Sequence, residues 1–596
     1  MSVLDRIERL RNVMEQQKID CYIIPTDDYH HSEYVGDYFK FREYITGFTG
    51  SAGTAVFTKD KAGLWTDGRY FIQAEAQLKG SGITLYKSGE SDVPTIEEFL
   101  KSELKEGDVL GFDGRTVTYA QGKRYCHIAD ENGASLKYSL DFAQNIWKER
   151  PEMSMESVFS LADEYTGEKI GSKLERIREV MKENGCNAHV LSSLDDIAWL
   201  LNIRGNDIAY CPLVLSYAIV YNNSVELFAD IRKFSDDIIN LLAENQVKIY
   251  LYEDIYRKVS EMTSEDKLLL DSSIMNYSLY QAISKETVIV DKQNPEILMK
   301  SVKNETQAEN LRKAHLKDAV AHTKFMYWLK KNIGRVEITE LSASARLEGL
   351  RAEQEHFLGP SFGPISAYGE HGAIVHYSAD EKSNVPLKEG KLFMTDTGGH
   401  YLEGSTDITR TVALGEVGNL EKEHFTLVAR AMLRLANTVF LYGCSGANLD
   451  CIAREIFWKE GLNFNHGTGH GVGYLLNIHE GPINFRWKEG ERPAPALEEN
   501  MVITDEPGIY IEGSHGIRLE NELLVRKTVK NEYGQFMNFE ILTYVPIDLD
   551  AILPEKMSTE EKEMLNHYHK QVYEKVSPYL SEEERIWLKE YTRAVK

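Results

Sequence analysis

The sequence contains few cysteines, fewer basic than acidic residues, and no long apolar run. Its six cysteines are scattered at positions 21, 126, 186, 211, 444 and 451 without a CxxC pair, a spacing that fits reduced, packed thiols and not a Cys-rich zinc site. Lys and Arg total 68 against 93 Asp and Glu, so the formal net charge is −25. This acidity argues against a protein that follows nucleic-acid phosphates or anionic membrane surfaces.

The N-terminus and the apolar pattern predict a cytoplasmic protein. Residues 1–10 have the pattern of an amphipathic helix with charges of both signs, without the apolar core of a secretory signal. The nearest approach to a membrane span, residues 212–221, is too short to cross a bilayer. With 596 residues, of which 42% are hydrophobic and 27% charged, the chain has a globular composition and room for several domains. We expect an enzyme with neither membrane nor nucleic-acid partners.

A repeat occupies the first half of the chain. Residues 7–14 (IERLRNVM) align with residues 174–181 (LERIREVM), and each segment is followed by a strand that ends in two aspartates. Residues 64–71 (LWTDGRYF) resemble residues 227–234 (LFADIRKF) in the same order. The copies are too few and too far apart for a solenoid. The repeat therefore predicts two related α/β domains.

Three domains are predicted in total. The repeat copies give N-terminal domains at residues 1–158 and 159–302. A long helix-prone stretch, residues 303–331, opens a third domain that covers residues 303–596. Short strands with Gly-rich turns fill most of this domain, and a helical extension with capping-box starts follows from about residue 546.

Two aspartates lie on a predicted β-hairpin in the third domain. The β-prone runs at residues 392–395 and 406–412 flank a Gly-containing connection. Asp396 directly follows the first run, and Asp407 lies in the second. Pairing the strands brings the two carboxylates together in an apolar setting, which is unfavourable unless a cation lies between them. The alternative is a pair of solvated aspartates at strand ends, and the hairpin alone leaves both interpretations open.

Downstream segments supply further candidate ligands. The run HGTGHGVG contains His466 and His470, and its glycines lack the Lys and Ser/Thr of a phosphate-binding loop. His479 follows within the same stretch. Glu506 is expected at the end of an apolar strand, and Glu520 within an alternating strand of the segment GIRLENE.

A site built from these residues is rich in negative charge. It consists of four carboxylates and one imidazole, from Asp396, Asp407, His470, Glu506 and Glu520. Such a set needs compensation of about the size that two divalent cations provide, and oxygen ligands with one nitrogen suit Mn²⁺ or a similar ion. Two such ions that share a hydroxide form a hydrolytic centre, in which the nucleophile is generated and a carbonyl is polarised.

The ordered motifs resemble a known family. TDTGGHYLEGSTDITRT, HGTGHGVG, TDEPG and GIRLENE are similar to the pita-bread metallopeptidases, a family that includes methionine aminopeptidase, prolidase and aminopeptidase P. The resemblance is greatest to the three-domain, cytosolic type of aminopeptidase P. It extends through SEY (32–34), GFTGSAGTA (47–55), WTDGRYF (65–71), DDIAWLLNIRG (195–205) and AIVHYSAD (373–380). The implied fold class is α/β (α+β): two creatinase-like α/β domains followed by a pita-bread metallopeptidase domain.

The resemblance implies a role for each metal ligand. Asp396 is expected to bind one metal ion in bidentate fashion, and Asp407 and Glu520 to bridge both ions. His470 and Glu506 are expected to complete the coordination of the second ion. Glu506 is also expected to act as general base toward the bridging water.

The resemblance also implies substrate contacts. His376 is expected beside the metals in contact with substrate, and His479 to bind the scissile carbonyl or shuttle a proton. His466 corresponds to an active-site histidine near the proline pocket. Arg518 is expected to hold a carboxylate behind the ligands, and Arg204 of the second domain to reach the substrate across the domain interface.

The implied activity is hydrolysis of the N-terminal Xaa-Pro bond of peptides. The implied cofactors are two divalent metal ions per subunit, Mn²⁺ first and Co²⁺ or Zn²⁺ as alternatives, and the implied assembly is a homodimer. One departure from the family pattern is the Gly363-Pro364 pair in residues 361–366, which affects the expected side-chain preference and not the reaction.

Two other functions stay open at this point. A prolidase uses the same metals on Xaa-Pro dipeptides, but usually has one N-terminal domain where the repeat predicts two. A pita-bread protein without activity acts as a binding module, usually after loss of ligands. All five ligand positions are present in this sequence, which favours the aminopeptidase.

Overall fold

The computed structural model describes residues 1–488, 490 and 493–596. The chain forms two compact units, one of residues 1–161 and 168–296, the other of residues 162–167 and 297–596. Within these described ranges, no helix combines the length and the apolar composition that crossing a membrane requires.

The first unit is built on two six-stranded sheets flanked by helices, and two of its short strands pair separately. Its strands are β1 (Cys21–Pro25), β2 (Thr54–Thr58), β3 (Ala62–Thr66), β4 (Thr84–Lys87), β5 (Val109–Phe112), β6 (Ser135–Lys137), β7 (Phe159–Ser160), β8 (Ala188–Leu191), β9 (Ile203–Arg204), β10 (Tyr217–Tyr221), β11 (Val225–Phe228), β12 (Val247–Tyr250), β13 (Lys267–Leu270) and β14 (Val288–Asp291). The helices along residues 1–301 are α1 (Val3–Gln17), α2 (Phe41–Thr46), α3 (Phe71–Gln77), α4 (Ile96–Glu103), α5 (Tyr119–Glu131), α6 (Ala143–Ile146), α7 (Asp163–Thr166), α8 (Ile170–Glu183), α9 (Leu194–Leu200), α10 (Asp236–Glu244), α11 (Asp254–Ser260), α12 (Tyr277–Ala282) and α13 (Pro295–Ser301).

The two sheets have the same topology. Their strand orders are β4-β3-β2-β1-β5-β6 and β12-β11-β10-β8-β13-β14. In each sheet the central strand pairs antiparallel with one neighbour and parallel with the other. The apolar strands β1 and β8 are buried almost throughout, as expected for strands covered on both faces. The predicted pair of related α/β folds is confirmed, whereas the predicted boundaries at 158 and 302 stay predictions.

The second unit combines long helices with several sheets. Its strands are β15 (Phe357–Pro360), β16 (Ile365–Tyr368), β17 (Lys391–Thr397), β18 (Gly399–Tyr401), β19 (Gly404–Ser405), β20 (Ile408–Leu414), β21 (Phe440–Leu441), β22 (Gly469–Gly471), β23 (Glu480–Phe485), β24 (Val502–Asp505), β25 (Gly508–Ile511), β26 (His515–Arg518), β27 (Asn521–Asn531) and β28 (Gly534–Ile541). Its helices after α13 are α14 (Glu305–Asn332), α15 (Glu340–Ala352), α16 (Asn419–Ala436), α17 (Gly446–Lys459), α18 (Thr559–Val576) and α19 (Glu582–Tyr591).

The strands of the second unit bring distant segments together. Their sheets are β16-β17-β20, β21-β28-β27-β24-β22-β23, β25-β26 and β15-β18-β19. The long helix α14 begins at a capping box, in which Asn304 accepts from the N–H of Gln307. Its buried residues Phe325 and Leu329 belong to the same core as Phe393 of β17. This core fixes β17, the strand that carries Asp396.

Two local predictions differ from the structure. β17 and β20 pair antiparallel, with Asp396 opposite Thr409, but Asp407 precedes β20 and the connection folds into β18 and β19. Glu520 lies between β26 and β27 and not inside a strand. The reason is that a long-range contact replaces the strand partner of each backbone amide: the N–H of Asp407 donates to the Glu522 carboxylate at 2.6 Å, and that of Glu520 to the carbonyl of Thr409 at 3.1 Å.

Candidate metal centre

Asp396 is buried and pairs with Arg518. It lies near the end of β17 and is 8% exposed. The Arg518 guanidinium donates to its Oδ2 through Nη2 at 2.5 Å and through Nε at 3.2 Å. Among the described residues, Oδ1 of Asp396 is a buried oxygen without a hydrogen-bond partner. Arg518 thus occupies one face of this carboxylate, and the second oxygen is available to another cation.

His470 and Asp407 face each other across the site. Nδ1 of His470 lies 2.9 Å from the carbonyl oxygen of Gly471, so this nitrogen donates, and Nε2 faces the carboxylates. Nε2 lies 3.5 Å from Oδ2 of Asp407 and 3.7 Å from Oε1 of Glu506. Both distances exceed an ordinary N–H···O hydrogen bond. The three groups therefore converge on one point without binding one another closely.

Two glutamates complete the acidic cluster. Glu506 directly follows β24, where its N–H donates to the Thr468 carbonyl at 2.8 Å. Glu520 is 1% exposed, and its Oε2 accepts from the hydroxyl of Thr409 at 2.8 Å. The apolar strand β24 and the buried start of β27 thus place these two carboxylates in largely buried surroundings.

The protonation equilibria reflect this crowding. Burial, reinforced by neighbouring carboxylates, raises the pKa of Glu520 well above its usual range and also raises the pKa of Glu506. Burial and Asp407 likewise raise the pKa of Asp396, although Arg518 opposes them. Burial disfavours the charged form of His470, but Asp407 and Glu506 outweigh it and raise its pKa to about 9. Ionised carboxylates at this density need added positive charge.

The donor set fits divalent metal ions. Ligand atoms of Asp407, His470 and Glu520 all lie within 4.8 Å of one another. A bound cation would give the buried Oδ1 of Asp396 a partner, and its positive charge would lower the raised pKa values of the carboxylates. Carboxylate oxygens with one imidazole nitrogen suit Mn²⁺, and also the more borderline Zn²⁺ and Co²⁺.

The three predicted histidines lie around this cluster. The rings of His479 and His470 are edge to face, with centroids 4.3 Å apart. Nε2 of His466 lies 2.8 Å from the hydroxyl of Tyr510. Burial lowers the pKa of His466 to about 3, with Arg518 and then His376 among the groups that reinforce the shift. The second unit therefore brings together all three histidines and the five predicted ligands.

Arg204 belongs to the first unit. It is 3% exposed, and its Nη1 donates to the carbonyls of Ala198 at 2.8 Å and Ile203 at 2.9 Å. These bonds tie it to its own domain. Its predicted contact with substrate across the domain interface stays a prediction.

Sequence reasoning missed three residues that shape the site. The Glu522 carboxylate accepts from the Asp407 amide, and the Thr409 hydroxyl donates to Glu520. The Tyr510 hydroxyl accepts from Nη1 of Arg518 at 2.7 Å and also contacts His466. Period-two alternation in GIRLENE could have indicated Glu522, because residues 520 and 522 of an extended segment share a face. The other two contacts have no local signal.

Comparisons with known proteins agree along the whole chain. Residues 309–527 match metallopeptidase family M24, and residues 535–595 match the C-terminal region of peptidase_M24. Residues 6–137 and 149–307 each match a creatinase/prolidase N-terminal domain. The predicted order of two creatinase-like domains and a metallopeptidase domain is confirmed.

Full-length relatives specify the group within this family. The chain is 36% identical to Xaa-Pro aminopeptidase 1 of Dictyostelium discoideum, over 97% of this chain and 94% of the relative. It is 34% identical to Aminopeptidase P1 of Arabidopsis thaliana, over 99% of each chain. X-prolyl aminopeptidase from Caenorhabditis elegans, a cytosolic enzyme with a di-nuclear active site, is similar in structure over 100% of both chains, with a TM-score of 0.95 and 33% identity. The chain belongs to the Xaa-Pro aminopeptidases of metallopeptidase family M24.

Proposed function

We propose that this protein removes the N-terminal residue from peptides whose second residue is proline, with the help of two divalent metal ions. The observation that carries the proposal is the convergence of the Asp407, His470 and Glu520 ligand atoms within 4.8 Å in a buried, acidic site. Membership among the Xaa-Pro aminopeptidases supports the same reaction. A hydrolytic dinuclear centre also explains why so many carboxylates are buried together.

The metal ions would be held by Asp396, Asp407, His470, Glu506 and Glu520. When bound, they activate a water molecule for attack and polarise the scissile carbonyl. We propose Mn²⁺ as the native ion, because four carboxylates and one imidazole form an oxygen-rich ligand set. Arg518 orients Asp396 by binding one of its oxygens, and Thr409 orients Glu520 in the same way.

Glu506 is the proposed general base. Its side chain is partly exposed, unlike that of Glu520, so its carboxylate can receive a proton from the attacking water at the edge of the site. The same group can return the proton to the leaving proline nitrogen.

The substrate explains the use of this chemistry. A Xaa-Pro bond is a tertiary amide without an N–H, and the proline ring restricts the residue before it. A peptidase that recognises that N–H by hydrogen bonding is therefore handicapped. We propose that His376 and His479 bind the peptide around the scissile carbonyl, and that His466 lies next to the pyrrolidine ring. Arg518 contributes through Asp396, and Arg204 is proposed as a further substrate contact.

His479 gives a direct test of these roles. The change His479→Ala is expected to lower kcat by about a hundredfold, because a hydrogen bond to the carbonyl or a proton transfer is lost. The metal content is expected to stay at the wild-type value, since His479 is not a proposed ligand. Steady-state kinetics and elemental analysis of the same preparation check both statements. A parallel loss of metal would show that His479 acts as a ligand.

Three properties of the whole chain complete the proposal. The enzyme is proposed to be cytoplasmic, which its cysteine pattern supports and which agrees with the cytosolic X-prolyl aminopeptidase of Caenorhabditis elegans. It is proposed to be a homodimer, by resemblance to its family. Its domains are proposed to be residues 1–158, 159–302 and 303–596, the last including the C-terminal helices α18 and α19.

A peptide panel tests the function. The protein is supplied with Mn²⁺ and incubated with Arg-Pro-Pro, Ala-Pro and Ala-Ala-Ala, and the released amino acids are measured. Release of free arginine from Arg-Pro-Pro, with little attack on Ala-Ala-Ala, is the expected result. Cleavage of Ala-Pro alone would identify a prolidase. No hydrolysis of any peptide by metal-loaded protein would favour a binding module.

A further inference from the structure

A buried carboxylate outside the metal centre lacks a role in the proposed reaction. Glu340 is the first residue of α15 and is 0% exposed. Removing a carboxylate from water is costly unless hydrogen bonds or opposite charges compensate it. The partners that compensate Glu340 therefore indicate what the residue does.

The Glu340 side chain binds one segment of the chain. Its Oε1 accepts from the N–H of Tyr368 at 2.8 Å and contacts Nδ1 of His371 at 2.8 Å. Its Oε2 accepts from the hydroxyl of Tyr377 at 2.8 Å and from the N–H of Val385 at 3.4 Å. We call residues 368–385 the Glu340-bound segment. Because both oxygens are used, the segment cannot shift without uncovering a buried charge.

The backbone strengthens this attachment. The N–H of Glu340 donates to the carbonyl of Val385 at 3.2 Å, and the side chain of Asn384 accepts from the N–H of Leu341 at 3.1 Å. The rings of His371 and Tyr377 stack with centroids 4.5 Å apart. The hydrogen bond to Glu340 raises the pKa of His371, which favours a charge-assisted bond between the two.

The Glu340-bound segment carries His376, the proposed substrate contact. Tyr377, which donates to Glu340, is the next residue in the chain. On the other side, the carbonyl of Val375 accepts from Nη2 of Arg518 at 3.3 Å, and the same nitrogen binds Asp396. His376 is thus held between two anchors, one at the metal centre and one at α15.

We infer that Glu340 is a positioning residue, which orients His376 toward the peptide by fixing the segment on both sides of it. The inference rests on the proposed function, since it assigns Glu340 to the same reaction. It predicts an effect on substrate turnover without an effect on metal binding. The reason is that the bonds of the Glu340 carboxylate described above include none of the five proposed ligands.

The test compares Glu340→Gln with Glu337→Gln, a matched control at an exposed position three residues earlier. Glutamine has nearly the same shape, but its NH2 group cannot accept the hydrogen bonds that one carboxylate oxygen of Glu340 accepts. In Glu340→Gln, kcat/KM for Arg-Pro-Pro is expected to fall about ten- to a hundredfold, with wild-type metal content. Hydrogen exchange of residues 368–385 is expected to rise. Glu337→Gln is expected to match the wild type in all three measurements.

A double-mutant cycle distinguishes positioning from a general structural role. If Glu340 acts through His376, the variant Glu340→Gln/His376→Ala is no less active than His376→Ala alone. Effects that multiply would overturn the inference, as would a Glu340→Gln enzyme with wild-type kcat/KM or with reduced metal.

A milder variant covers the case in which Glu340→Gln does not fold. Tyr377→Phe removes one hydroxyl and is expected to lower kcat/KM about threefold to tenfold, again without effect in the His376→Ala background. An unchanged Tyr377→Phe enzyme would then overturn the inference. Failure of the proposed function is recognised separately, because it appears as a metal-loaded wild-type protein that does not cleave Arg-Pro-Pro.

Discussion

Alanine in place of Asp407 is expected to abolish turnover and to reduce the bound metal. Asp407 is 4% exposed and its Oδ2 lies 3.5 Å from Nε2 of His470, and a ligand atom of Asp407 groups with those of His470 and Glu520 within 4.8 Å. The resemblance implies that Asp407 would bridge both ions, so its loss is expected to affect both. Mutations that remove parts of a catalytic unit cost orders of magnitude in rate.

The measurement combines elemental analysis with release of arginine from Arg-Pro-Pro. A matched control is Glu512→Ala, which removes an exposed carboxylate from the turn between β25 and β26. This control is expected to keep its metal and its activity. An Asp407→Ala protein with full metal content and normal turnover would contradict the assignment of Asp407 as a bridging ligand.

The change Arg518→Met is expected to destabilise the metal-free protein strongly. Arg518 is 2% exposed, and its guanidinium binds Asp396 through two nitrogens. Its loss leaves a buried carboxylate without this partner, beside other carboxylates. Removing one partner of a buried ion pair costs about 3–5 kcal/mol, whereas methionine fills a similar volume and leaves little cavity.

Metal ions should reverse much of this loss. Divalent cations bound to Asp396 supply the positive charge that Arg518 provided, and a ligand that binds the folded state stabilises it. Thermal unfolding of wild type and Arg518→Met, each with and without Mn²⁺, measures the effect. The difference in Tm is expected to be largest without metal. Arg335→Met, at an exposed position, serves as control. An equal difference with and without metal would contradict the proposed position of the ions.

Features with local signals were predictable from the sequence. The helix expected at residues 303–331 is observed as α14, Glu305–Asn332. Its signals are local, because the spacing of apolar residues and the cap at Asn304 each involve residues only a few positions apart. The strand before Glu506 was predictable for a similar reason, since an apolar run of that length is typical of a buried strand. It is observed as β24, Val502–Asp505.

Contacts between distant segments could not be predicted in this way. The bond from the Asp407 N–H to Glu522 joins residues 115 positions apart, and it moves Asp407 out of the strand where periodicity placed it. The Glu340 carboxylate gives no signal in the sequence, because its partners are spread over residues 368–385 and two of them are backbone N–H groups. Motif resemblance assigned the ligands, whereas only the folded chain reveals the groups that hold them.

The most direct test of the central claim is a metal titration. The protein is stripped with a chelator, Mn²⁺ is added back in steps, and bound metal and arginine release from Arg-Pro-Pro are measured together. Activity is expected to be absent in stripped protein, to rise as metal binds, and to reach its maximum with two ions per chain. Full hydrolysis by protein that contains no metal would contradict the account.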